Sequence, residues 1–143
     1  MSNDLPPLDF EQTRSELIKA LVDGRLPRLP RHPRRRDGVL ALLACELQRR
    51  YPYSEVELND ALREGLGKLR ADVDHATTRR YLVDCGFLKR DRAGTRYLLN
   101  FPKLEATLDE HTRVNAQDVI EAALAHHAEK LRARAARSTS HRT

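Results

Sequence analysis

Apolar residues recur at helical spacing in five stretches of this chain, and between the fourth and fifth the pattern changes to that of a short hairpin. In "LDFEQTRSELIKALVDGRL", Phe10, Leu17, Ile18 and Leu21 fall on one face. Asp9 followed three residues later by Gln12 is a capping pair, so a first helix starts there and Asp23-Gly24 ends it. Residues 25–36, "RLPRLPRHPRRR", carry prolines at 27, 30 and 33, which predict an extended, polyproline-like arm with its arginines splayed outward. "DGVLALLACELQRRYP" is almost wholly apolar from Val39 to Leu47 and predicts a central core helix that Pro52 stops. "YSEVELNDALREGLG" opens on a capping box, Ser54 with Glu57, and places Val56, Leu58 and Leu62 for burial before Gly65 and Gly67 terminate it.

A fourth helix is predicted over residues 73–85, capped by Asp72 or Asp74. Thr78, Tyr81, Leu82 and Cys85 share its buried arc, while His75, Ala76, Arg79 and Arg80 take the rest. Gly86 suits the left-handed position after it. "FLKRD", "RAG" and "TRYLLN" then predict a β-hairpin turning at Gly94. "NAQDVIEAALAHHAEKLRARAAR" is a long amphipathic helix starting from Asn115, with Ile120, Leu124, His127 and Leu131 along one seam. The division that follows is an N-terminal helix in 1–21 and a hairpin-closed helical unit in 22–100. A linker and C-terminal helix fill 101–136, and 137–143 read as a disordered basic tail.

Composition sharpens this picture in two ways. Aromatics are 5% of the 143 residues and Trp is absent, so aliphatic side chains must build the core. The formal net charge of +5 is segregated: residues 25–36 hold six Arg and no acid, and Lys130–Thr143 hold five Lys or Arg and no acid. Cation gathered in patches is the footprint of a polyanion partner. No apolar run reaches the ~20 residues of a membrane span, and the N-terminus lacks a signal-peptide layout, which predicts a cytoplasmic protein with no membrane contact. Cys45 and Cys85 sit in helical patterns as small buried hydrophobes, and the scattered His residues form no zinc spacing. No cofactor and no catalytic motif is predicted: there is no phosphate-binding Gly loop, Gly-x-Ser-x-Gly or His-Glu-x-x-His.

Three helices followed by a two-stranded hairpin is the order of a winged helix, a mainly α fold whose last helix enters the major groove while the hairpin reaches phosphates. His75, Arg79 and Arg80 then belong to the recognition helix. Lys89, Arg90, Arg92 and Arg96 belong to the wing, and Arg25, Arg28, Arg31, Arg34, Arg35 and Arg36 to the arm. The expected partner is duplex DNA or structured RNA, with a homodimer through residues 115–136. Arg79 or Arg80 folding back onto Glu55, Glu57 or Asp84 would serve structure instead. Two other readings stay open. One is a protein-interaction module using the winged-helix faces, the acidic middle or the C-terminal helix; the other is an RNA- or ribosome-associated protein.

The stretches "VDGRLPRLPRHPRRRDGVLALLA", "YSEVELNDAL" and "DHATTRRYLVDCGFLKRDRAGTRYLLN" together resemble the bacterial domain-of-unknown-function family 2087 over residues 22–98. The matching pattern positions are Asp23, Gly24, Arg25, Asn59, Asp74, Arg79, Arg80, Tyr81, Gly94 and Tyr97. Members are often appended to helix-turn-helix repressor domains, so the resemblance implies a role in transcriptional regulation. Three departures stand out: Thr78 replaces a Leu, Leu58 replaces a Val, and "REGLGKLRADV" lengthens the link before the fourth helix.

Overall fold

The structure is a computed structural model that describes residues 5–140. Helix α1 (Phe10–Ala20) opens on the expected capping box, in which the Asp9 carboxylate accepts from the Gln12 amide and the Gln12 side chain accepts from the Asp9 amide. Helix α2 (Pro33–Ala44) begins four residues before the predicted start. Pro33 occupies the first helical position, where a missing N–H costs nothing, and His32 Nδ1 accepts from the Arg35 amide at 3.4 Å. The extended arm therefore stops at residue 32, and Arg34, Arg35 and Arg36 form the first turn of a helix. From Gly38 to Ala44 every residue of α2 is buried, as expected of a central core helix. Its end comes eight residues before Pro52, after which Arg50 at φ 62 redirects the chain.

Helix α3 (Glu55–Lys68) has the expected Ser54–Glu57 capping box, but Gly65 and Gly67 lie inside it. Gly65 is there for packing: a Cβ would stand 3.1 Å from the side chains of Leu43 on α2 and of Glu46 just after it. Val56, expected to be buried, is 70% exposed. The left-handed turn after α3 falls to Arg70 at φ 50. That turn is clamped to the arm, since the Leu26 amide donates to Leu69 O and the Asp72 amide donates to Leu26 O. Leu26 and Leu69 are both fully buried.

Helix α4 (His75–Asp84) is capped by Asp74, whose carboxylate accepts from the Thr77 amide at 2.7 Å. Thr78 and Leu82 are buried as expected, whereas Tyr81 is 36% exposed and does not belong to the core arc. Thr78 satisfies its hydroxyl by donating to Asp74 O, so a Thr in place of Leu leaves no orphan polar group. Gly86 takes φ 89 and the chain enters strand β1 (Leu88–Arg90), paired antiparallel with β2 (Tyr97–Leu99). Tyr53 exchanges both backbone hydrogen bonds with Tyr97 at 2.9 Å, adding a one-residue third strand. Helix, strand stub, two helices and hairpin is the winged-helix order, with Phe87 buried at the hairpin base.

The stretch after the hairpin is more ordered than a linker. It forms α5 (Phe101–Thr107) and α6 (Glu110–Val114) before α7 (Ala116–Ser140). Leu8 bridges to this region, its amide donating to Thr107 O and its carbonyl accepting from Asp109 N. Among the described elements α1 packs most extensively on α7. Ile120 is buried, Leu124 packs on the core, and His127 Nε2 donates to Ile18 O at 2.9 Å. Most of the seam expected to mediate a homodimer thus lies inside the monomer, leaving Leu131 exposed. Residues 137–140 are helical rather than disordered, and the rest of the predicted tail, 141–143, lies outside the described residues.

Candidate nucleic-acid interface

The arm brings six arginines to three different environments. Arg25 pairs with Asp72 at 3.1 Å. Arg28 and Arg31 are exposed and have no partner among the described residues. The three in the first turn of α2 point into the body: Arg34 donates to Pro6 O, Arg35 donates to Glu16 at 2.9 Å, and Arg36 Nε is buried without an acceptor. The helical start explains this, because a helix sweeps successive side chains through 100° and an extended arm does not. Four of the six cations expected to face outward are therefore engaged or part-buried.

Arg28 and Arg31 lie beside α4. With Pro27 they line a crevice of about 380 Å³ whose far wall is Asp74, Thr77 and Tyr81. Asp74 is a structural acid here: backbone and side-chain hydrogen bonds from Thr77 hold its carboxyl below the ordinary aspartate value. On α4 itself, Arg79 donates to Asn59 Oδ1 at 2.6 Å, which orients the guanidinium against a neutral amide and leaves its charge unneutralised. The expected fold-back of Arg79 thus occurs, but onto Asn59 rather than a carboxylate. Arg80 is exposed with no partner among the described residues, and His75 is half-buried at the first turn. Ala76, Arg80 and Tyr81 are all exposed and open to a ligand.

The wing divides similarly. Lys89 and Arg92 are exposed and unpaired among the described residues. Arg90 donates to the Tyr97 hydroxyl at 3.0 Å and stacks 5.2 Å from its ring centre. Arg96 lies 3.7 Å from Glu57, whose carboxyl is held below the usual glutamate range by the Ser54 amide and the Tyr51 hydroxyl. The wing tip is shaped by Asp91, which accepts from the amides of Thr95 and Arg96, and these bonds lower its carboxyl as well. Gly94 supplies the left-handed residue of that tip at φ 73.

Sequence reading missed Lys19 and His32, which with Arg28, Arg31 and Arg35 line a neighbouring crevice. A lysine in the last turn of an amphipathic helix gives no local sign of lying next to the arm. Cys45 is part-buried and its thiol is pushed up to about 11 by burial, so it stays protonated at neutral pH. Among the described residues no group of three or more His, Cys, Asp or Glu could hold a metal ion, and no helix is long and apolar enough to cross a membrane.

Most pattern positions of the suspected family have a structural task. Asp23 and Gly24 make a left-handed turn, Arg25 ties that turn to Asp72, Asn59 holds Arg79, and Tyr97 pairs with Tyr53. No curated protein and no solved structure matches the chain significantly. A family model described as "Uncharacterized protein conserved in bacteria (DUF2087)" matches residues 25–99, more than half the chain, and the chain belongs to that family.

Proposed function

We propose that this chain binds duplex DNA through α4 and acts as a regulator of transcription. The observation that carries the reading is the open face of α4 next to unpaired cations: Ala76, Arg80 and Tyr81 exposed, with Arg28 and Arg31 across a shallow crevice. An α-helix fits the major groove. There Arg80 is suited to guanine O6 and N7, and the Ala76 methyl to a thymine methyl. Arg28 and Arg31 would lie on backbone phosphate beside the groove, and Lys89 and Arg92 on phosphate reached by the wing. Paucity of aromatics argues against a single-strand binder, which stacks bases on such rings.

Mobility shift on a genomic duplex library under a salt titration tests this. Four cations on phosphate give a slope of log affinity against log salt of about −3.6. Reversing Arg28 and Arg80 to Glu should weaken binding by at least about 30-fold near 0.15 M salt, the loss of one phosphate contact and one bidentate guanine contact. A flat salt dependence, or wild-type affinity in that variant, rejects the reading. Preference for duplex RNA in a competition assay replaces it with the RNA alternative.

A further inference from the structure

The α4 crevice is one end of a longer cationic path. Pro27, Arg28 and Arg31 line it and also line a second crevice, whose other walls include Lys19, Val22 and His32. Val22 in turn belongs to a third crevice, formed where α7 passes the Leu21–Asp23 turn and bounded by Lys130, Arg134 and Arg137. Shared lining residues therefore place the three crevices in sequence from α4 to α7, the last two meeting at Val22.

Of the acids lining this path, Asp72 is paired with Arg25 at 3.1 Å and Asp23 with Arg134, while Asp74 is occupied in capping α4. Glu16 is held by Arg35 at 2.9 Å and approached by Lys19 at 4.0 Å. Asp23, presented from a left-handed backbone at φ 50, accepts from Arg134 at 2.8 Å. Lys130 and Arg137 have no partner among the described residues. Glu129 is the last acid of the chain, and residues 129–139 of α7 are exposed on all sides. Arg134 reaches Asp23, but this stretch of α7 buries no side chain, and its charged residues after Glu129 are all cations. Lys130 and Arg137, seven residues apart, lie on one face of α7 about 10 Å apart along the axis, about three 3.4 Å steps of one DNA strand.

We infer that this path, ending on Lys130 and Arg137, is a second phosphate-binding segment that holds duplex DNA flanking the stretch covered by α4. It rests on the DNA-binding reading above and extends the footprint beyond a recognition helix and wing.

The experiment compares wild type with Lys130→Glu/Arg137→Glu on duplexes of about 12 and about 30 base pairs, roughly one and three helical turns. The variant should bind the short duplex as wild type does and the long one about 30-fold more weakly near 0.15 M salt, with the long-duplex salt slope reduced by about 2. A charge-matched control, Arg14→Glu/Arg132→Glu, whose arginines lie beside their own helical acids Glu11 and Glu129 and line none of the three crevices, should keep long-duplex affinity. Wild-type affinity of the α7 variant for the long duplex overturns the path and leaves the α4 reading standing. Equal weakening on both duplexes, or in the control, reduces the effect to bulk charge and overturns it too. Failure of the wild type to bind any duplex overturns both readings.

Discussion

Residues 25–31 and 32–36 look alike in composition, each with three arginines, proline and no acid, yet the structure puts them to opposite uses. In the first half the backbone is extended and pinned by Leu26 beneath the α3–α4 turn, so Arg28 and Arg31 emerge into solvent beside α4. In the second half Pro33 starts a helix, and its rotation turns Arg35 toward Glu16 on α1 and buries Arg36 Nε. The lesson is that the density of charge along a chain does not measure the charge a partner can reach. Backbone conformation decides, because it sets where each long side chain starts.

Leu26 anchors the outward-facing half. Leu26→Ala removes a fully buried side chain and should cost about 3 kcal/mol in denaturant unfolding, with the arm released and Arg28 and Arg31 no longer fixed beside α4. A loss under about 1 kcal/mol would mean the arm is not clamped as described.

The two halves can next be set against each other by single substitutions. Arg31→Ala should leave stability within about 0.5 kcal/mol and weaken duplex affinity about fivefold near 0.15 M salt. Arg35→Ala should do the reverse, lowering stability by about 1 kcal/mol through loss of its part-buried pair with Glu16 while leaving affinity for a short duplex, which only α4 and the wing cover, unchanged. Equal binding losses from both would erase the distinction between the halves.

The smallest effect concerns acid. Asp74, beside the reachable arginines, and Asp91, in the wing tip, both have carboxyls lowered from 3.8 by hydrogen bonds to the charged form, backbone amides foremost. A depressed folded value means their contribution is complete above the unfolded value and disappears as pH falls through the folded one. Melting temperature should therefore be flat down to about pH 5 and decline below about pH 4, less steeply in Asp91→Asn. A decline of unchanged steepness in that variant would remove Asp91 as a contributor.

The helices that begin on capping pairs, the buried run of α2 and the hairpin closing at Gly94 are legible along the chain alone. These rest on local signals: a carboxylate or hydroxyl facing an amide three residues on, an apolar period, a residue needing positive φ. The sequence also placed Arg80, Lys89 and Arg92 on open elements. It did not foresee helices in residues 101–114, because those two are short and are held by packing and by the Leu8 bridge rather than by their own periodicity. Packing between elements is what makes Gly65 a contact residue, turns Tyr81 to solvent, gives Arg79 to Asn59, and lays most of the α7 seam against the body of its own chain. In each case the partner is distant in sequence, and a contact between distant residues is fixed only when the core brings their elements together.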